Sequence, residues 1–193
     1  MEITADLSGK NQDQAGIFKQ IAQDIERAGY SLTLTDDEYD RPWGGFFFLD
    51  EAQIDTFASA FFPSHLEDLR EQVKQGLKLT PKILVLKPGT RLSWQYHHLR
   101  SELWYIITGS PGLVVNDTDE LPTTVTTKQA GDTIVLTQGT RHRLVGSDDW
   151  AVWAEIWMHT DPQHPSSEHG DIVRLVDSYG RKSEIEKRAD VTN

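Results

Sequence analysis

Apolar positions along the chain follow two rhythms. Over residues 13 to 29, Ile17, Ile21 and Ile25 recur every fourth position, with Phe18 and Ala22 beside them. That spacing gathers them on one stripe of an amphipathic helix ending near Gly29. A second helical stretch is predicted over 51 to 77. It is broken by Pro63, after which Leu66, Leu69 and Val73 recur at helical spacing. From residue 82 the rhythm shortens. Strands are predicted near 82–87, 92–97, 102–108, 112–115, 123–127, 133–136, 142–145 and 151–158, separated by Gly, Pro, Asn and Asp. About eight such strands close a small barrel or a jelly roll with a ligand cavity inside. The expected fold class is therefore mainly β, with helices at the N-terminal end.

Composition narrows the setting. A chain of 193 residues is the size of one domain. With no Cys, disulfides, thiolate metal sites and cysteine nucleophiles are excluded. The first residues, MEITADLSGKNQDQ, are polar and acidic, unlike a secretory leader. No run reaches the roughly 20 apolar residues needed to cross a bilayer. A cytoplasmic location is the simplest expectation. The net charge of −11 argues against nucleic acid or an anionic membrane as the main partner, though basic side chains can still form a local anion pocket.

The candidate chemistry lies in GTRLSWQYHHLRSELWYIITG and GDTIVLTQGTRHRL. Gln95 and His97 are two apart and share a strand face, Glu102 follows across a short turn, and His142 comes some forty residues later. Imidazole, carboxylate and amide carbonyl together suit a borderline divalent ion and leave positions open for water or substrate. A second hint is in WAVWAEIWMH, where alternation puts Trp153, Glu155 and Trp157 on one face and Val152, Ala154, Ile156 and Met158 on the other. A carboxylate between two indoles fits a sugar pocket; the alternative is that Glu155 sits on a solvated outer face.

The spacing from Gly89 through Gln95, His97 and Glu102 to Gly109, and from Gly131 through Thr137 to His142, resembles the two motifs of the cupin superfamily. Cupins normally have His at the position of Gln95 and Pro at that of Thr137. Gln95 matches the type II phosphomannose isomerases, whose first motif reads KPGxxLSxQxHxxRxExW; this chain supplies Lys87, Pro88, Gly89, Leu92, Ser93, Gln95, His97, Arg100, Glu102 and Trp104. Arg41 to Gly44 resemble the family's RPWG, His142 to Leu144 its HRL, and Asp171 to Arg181 its closing DIVRxxDxYGR.

The resemblance implies a cupin double-stranded β-helix. Residues 1–80 are expected to form a helical or extended region packed on the barrel, 81–181 the barrel and 182–193 a charged tail, with residues 45–79 a helical insertion. It further implies Gln95, His97, Glu102 and His142 as ligands of one divalent ion, zinc first and manganese, cobalt or iron as alternatives. The implied reaction interconverts mannose 6-phosphate and fructose 6-phosphate, or a related sugar, in a homodimer. Lys82 and Glu155 are the candidates for proton transfer, Lys82 because it aligns with a family lysine preceding the KPG strand. Arg100, Trp153, Arg174 and Arg181 are candidates for holding substrate, each Arg alternatively forming a structural ion pair. A nonenzymatic sugar-binding cupin and an Fe(II) oxygenase stay open as other readings. Trp94 and Trp104 are expected to pack, His98 and Arg143 to point away from the site, and His159, His164 and His169 to lie in a rim loop.

Overall fold

The computed structural model describes residues 1–9, 13–33, 41–165 and 171–181. The expected tail at 182–193 and His169 lie outside the described residues. Among the described residues, three α-helices precede most of the strands: α1 (Gln14–Arg27), α2 (Ile54–Phe61) and α3 (Leu66–Lys74). Asp13 caps α1, its carboxylate accepting from the Gly16 amide, which satisfies one of the helix's otherwise unpaired N–H groups. The chain turns between α2 and α3 at Phe62, and Pro63 opens a short 3₁₀ turn, because proline removes a donor that a continuous helix needs. Of the predicted stripe on α3, Leu69 is buried while Val73 is 47% exposed; the helix turns Val73 to solvent.

Among the described residues, ten strands form two antiparallel sheets. The first runs in the order β1 (Gly44–Phe48), β2 (Leu79–Leu86), β9 (Ala151–His159), β4 (Arg100–Thr108), β7 (Thr133–Leu136). The second runs β10 (Ile172–Val176), β3 (Trp94–His97), β8 (Arg141–Val145), β5 (Gly112–Asn116), β6 (Thr126–Thr127). This is a jelly-roll barrel, mainly β, with the helices at its N-terminal side. Three details depart from the sequence reading. The start of the expected insertion is strand β1, paired with β2 from Gly44↔Leu86 to Phe48↔Lys82. The expected boundary at residue 80 falls inside β2. The strand expected at 123–127 shrinks to Thr126–Thr127.

Alternation along the first sheet splits the core in two. Phe47, Ile83, Val85, Leu103, Val152, Ala154 and Ile156 face outward and meet Ile17, Phe18, Ile21, Ile25, Phe57 and Phe61 of the helices. Phe46, Leu84, Leu86, Trp104, Ile106 and Trp153 face the barrel interior with Leu113 and Leu144 of the second sheet. Burying each Val, Leu, Ile or Phe among these contributes roughly 1.5–3 kcal/mol. The helices therefore cover one face of the sheet, and the opposite face is left to line the barrel.

β1 joins that sheet through a close approach. Gly44 has φ 128°, and a Cβ there would meet the Val85 carbonyl oxygen at 2.0 Å. Gly44→Ala is expected to lower unfolding stability by about 3 kcal/mol or more, measured as a shift in the urea midpoint. A change below about 1 kcal/mol would mean β1 can move away from β2 at little expense.

Candidate metal centre

β3, β4 and β8 deliver the chemistry. On β3, Gln95 and His97 share a face, and Gln95 stands opposite His142 of β8. Glu102 lies on β4 opposite Trp157 of β9. His97, Glu102 and His142 are all buried, and each offers a ligand atom within 4.8 Å of the others. His97 Nε2 is 3.1 Å from Glu102 Oε1 and 3.5 Å from the Gln95 amide nitrogen. Rotating that amide by half a turn exchanges its nitrogen for its oxygen.

The orientation of His142 shows that these residues fit a cation. Its Nδ1 lies 2.9 Å from the Thr140 carbonyl, an acceptor, so Nδ1 carries the proton and Nε2 the lone pair. Nε2 has no hydrogen-bond partner and lies 3.4 Å from Glu102 Oε2. Two acceptors face each other with no proton between them, the arrangement a positive ion relieves. Burial drives His97 well below its ordinary pKa, with Arg100 adding to the effect. Burial also lowers His142, against the pull of Glu102. Both rings are therefore neutral at neutral pH, the form that ligates metal. Burial pushes the Glu102 carboxyl up, but the Arg100 guanidinium and other nearby positive groups outweigh it and hold the group below the usual range.

Arg100 is packed into this cluster. Its Nε donates to Glu102 Oε1 over 2.9 Å, Nη1 donates to Asp171 Oδ2 over 3.1 Å, and the guanidinium lies 3.7 Å from the Trp157 ring centre. Its charge is matched by two carboxylates, so it holds the centre together as well as lining the cavity. Asp171 carried no role in the sequence reading beyond its place in the closing motif. Its Oδ1 accepts from the His98 and Leu99 amides at 2.7 and 2.6 Å, fastening the β3–β4 turn. β10 then pairs with β3, placing Arg174 opposite Gln95.

Beside the centre is a small cavity of about 70 Å³. Gln95, Glu102, Arg100, Lys82, Glu155, Trp157, Arg174 and Arg181 all line it, with Arg41, Trp43 and Ser93. Glu155 faces this interior, not solvent. Its Oε1 accepts from the Trp104 indole over 2.6 Å, and Oε2 lies 3.8 Å from Lys82 Nζ. Burial, reinforced by the negative charge of Glu102, raises its carboxyl to about 8. Lys82 is itself buried, its ammonium 3.7 Å from the Phe46 ring centre and 3.8 Å from that of Trp157. The aromatic rings hold the amine in place at the cavity wall. Arg181 is tied to Asp177 at 2.6 Å and to Ser93 at 3.2 Å. Burial opposes ionisation of Asp177, yet its bonds to Arg181 hold it at about 2.

Other expected residues sit elsewhere. Trp153 has the right parity but lies deeper, fully buried against Trp104 at 6.0 Å, and is not on the cavity wall. His159 is not in a loop; it ends β9, buried, with Nε2 3.1 Å from Thr80 Oγ1. His164 is exposed beside Asp161. Arg41 is a cavity residue without a role in the sequence reading. Its backbone exchanges hydrogen bonds with Gly44, and both their carbonyls accept from the Gln14 side chain.

Comparison with known proteins bears on this geometry. Residues 68–150 match the family described as mannose-6-phosphate isomerase C-terminal. The alginate biosynthesis protein AlgA of Pseudomonas aeruginosa is 26% identical over 174 residues, which are 90% of this chain and 29% of that protein. The xanthan biosynthesis protein XanB of Xanthomonas campestris pv. campestris is 26% identical over 173 residues, 89% of this chain and 29% of that protein. The chain thus spans less than a third of the length of these curated relatives. Among solved structures, the vicilin of Solanum melongena superposes with a TM-score of 0.52 at 13% identity, over 77% of this chain and 34% of the vicilin chain, a likeness of fold alone. Motifs, barrel and family match agree that the chain carries a cupin domain resembling the C-terminal domain of mannose-6-phosphate isomerases.

Proposed function

We propose that the chain is a metal-dependent aldose–ketose isomerase interconverting mannose 6-phosphate and fructose 6-phosphate, or a closely related sugar phosphate. One observation carries the reading. A buried carboxylate whose pKa is raised to about 8 shares a cavity with Gln95 and Glu102 of the candidate metal centre. Isomerisation needs a group that takes a proton from the carbon beside a carbonyl and returns it to the neighbouring carbon, and a carboxyl near the working pH serves both directions.

Gln95, His97, Glu102 and His142 would hold the ion, zinc in this reading. Once bound, it would supply Lewis acidity that stabilises negative charge on the sugar oxygens. Glu155 moves the proton at Oε2. Lys82 offsets the charge of that carboxylate, and the Trp157 ring, which packs against the Lys82 and Arg100 cations, helps hold both at the cavity wall. The cavity wall carries Arg41, Lys82, Arg100, Arg174 and Arg181 against Glu102 and Glu155, although the chain has a net charge of −11. Arg100 is balanced by Glu102 and Asp171 and Arg181 by Asp177, and it is the gathering of guanidinium groups on one wall that supports an anionic substrate.

Conversion of mannose 6-phosphate by the zinc-loaded chain, lost on chelation and restored by metal, tests the reading. No conversion by a fully metallated chain would refute it. Arg181→Ala is expected to raise KM for the sugar phosphate by about 10-fold while changing KM for the free sugar far less. Equal effects on both would give Arg181 a structural role through Asp177. His97, Glu102 and His142 also form the two-histidine, one-carboxylate set used with Fe(II) and oxygen. Substrate-dependent oxygen uptake by the iron-loaded chain would favour that second reading.

A further inference from the structure

We propose that Trp104 is a positioning residue for proton transfer: its indole N–H anchors Glu155 Oε1 and leaves Oε2 as the oxygen that meets the substrate. The inference rests on the isomerase reading above. Trp104 and Glu155 are directly opposed on β4 and β9, so their contact is set by sheet register and not by a loop. Both are buried, and the Nε1 to Oε1 distance is 2.6 Å. Oε2 has no hydrogen-bond partner, and the Lys82 ammonium stands 3.8 Å away, beyond hydrogen-bond range.

The two oxygens are therefore inequivalent. Rotation about the last side-chain torsion of a glutamate is soft, and a free carboxylate would exchange them and spread its reach. Once Glu155 is ionised, one charge-assisted bond from a rigid ring removes that freedom, the kind of support that holds a reacting group to within fractions of an ångström. The same indole meets His142 edge-on, with ring centres 5.4 Å apart. One side chain thus spans from the candidate base to a candidate metal ligand and fixes their separation.

Trp104→Phe keeps an aromatic edge beside His142 and deletes only the N–H. With mannose 6-phosphate and zinc, kcat is expected to fall about 10- to 100-fold, while KM and zinc affinity stay within about twofold of wild type. A parallel fall in zinc affinity or a rise in KM would overturn the proposal, because Trp104 would then serve His142 or the cavity wall. An unchanged kcat would overturn it as well. A second measurement needs neither turnover nor the Trp104 variant. In zinc-loaded wild type at alkaline pH, the Trp104 indole proton is expected far downfield in an NMR spectrum and should move upfield in Glu155→Gln. A signal indifferent to Glu155→Gln removes the anchor whatever the activity. A responsive signal with no isomerisation instead refutes the isomerase reading, and the proton-transfer role with it, while leaving the anchor in place.

Discussion

On the isomerase reading, His142→Ala is expected to prevent divalent-metal binding and abolish turnover while the barrel stays folded. His142 Nε2 is a buried lone pair aimed at Glu102 Oε2, and its Nδ1 is committed to the Thr140 carbonyl, so the ring has no other use for that nitrogen. Losing it removes one of four donors. Altering even the partners of metal ligands weakens affinity about 10- to 100-fold, so deleting a ligand should weaken zinc by about 100-fold or more. The interior core of Leu84, Leu86, Ile106 and Leu144 does not depend on this ring, and the fold should persist at an expense of roughly 1–2 kcal/mol. Zinc should also raise the wild-type melting temperature, because a ligand at 100 times its Kd adds about 2.7 kcal/mol, and this gain should vanish in the variant. Wild-type zinc content in His142→Ala, by elemental analysis, would overturn the ligand assignment.

Glu155→Gln is the second large effect. It keeps the shape of the side chain and an acceptor for the Trp104 indole but removes the base. On the isomerase reading, kcat should fall about 10²- to 10⁴-fold, with zinc content unchanged and KM little altered. The pH profile follows from the raised carboxyl. A base must be ionised to act, and a raised pKa keeps it protonated to higher pH, so kcat/KM should climb with pH and level off above the pKa. The rise should lie between the ordinary carboxylate range and about 8, because a cation bound at Glu102 would offset some of the negative charge that contributes to the shift. Glu155→Gln should flatten this limb. Near-wild-type kcat in the variant would discard Glu155 as the proton carrier.

Much of this site was legible because it rests on strand alternation. Gln95 and His97, two apart, had to share a face, and the alternation of β9 correctly grouped Trp153, Glu155 and Trp157 toward the interior. Alternation fixes a face but not a depth, which is why Trp153 ended in the core and Trp157 on the cavity wall. Glu155 could equally have faced solvent until the second sheet closed over it. Residues placed by distant pairing were harder to read. Asp171 acts only because β10 returns beside β3 and brings its carboxylate to the His98 and Leu99 amides. Arg41 enters the cavity because Gly44 lets β1 lie close on β2. The GGFFF of β1 has no alternation of its own, and both its faces are covered, so periodicity could not distinguish it from the helical stretch that follows. His159 shows the same limit, since it ends a strand that runs one residue past its last apolar position.

The most direct test of the central claim is to follow mannose 6-phosphate in heavy water by NMR with the zinc-loaded chain. The account predicts fructose 6-phosphate carrying solvent deuterium at carbon 1, with label and conversion both lost on chelation or in Glu155→Gln. A fully metallated, folded chain that neither converts the sugar phosphate nor exchanges its protons would contradict it.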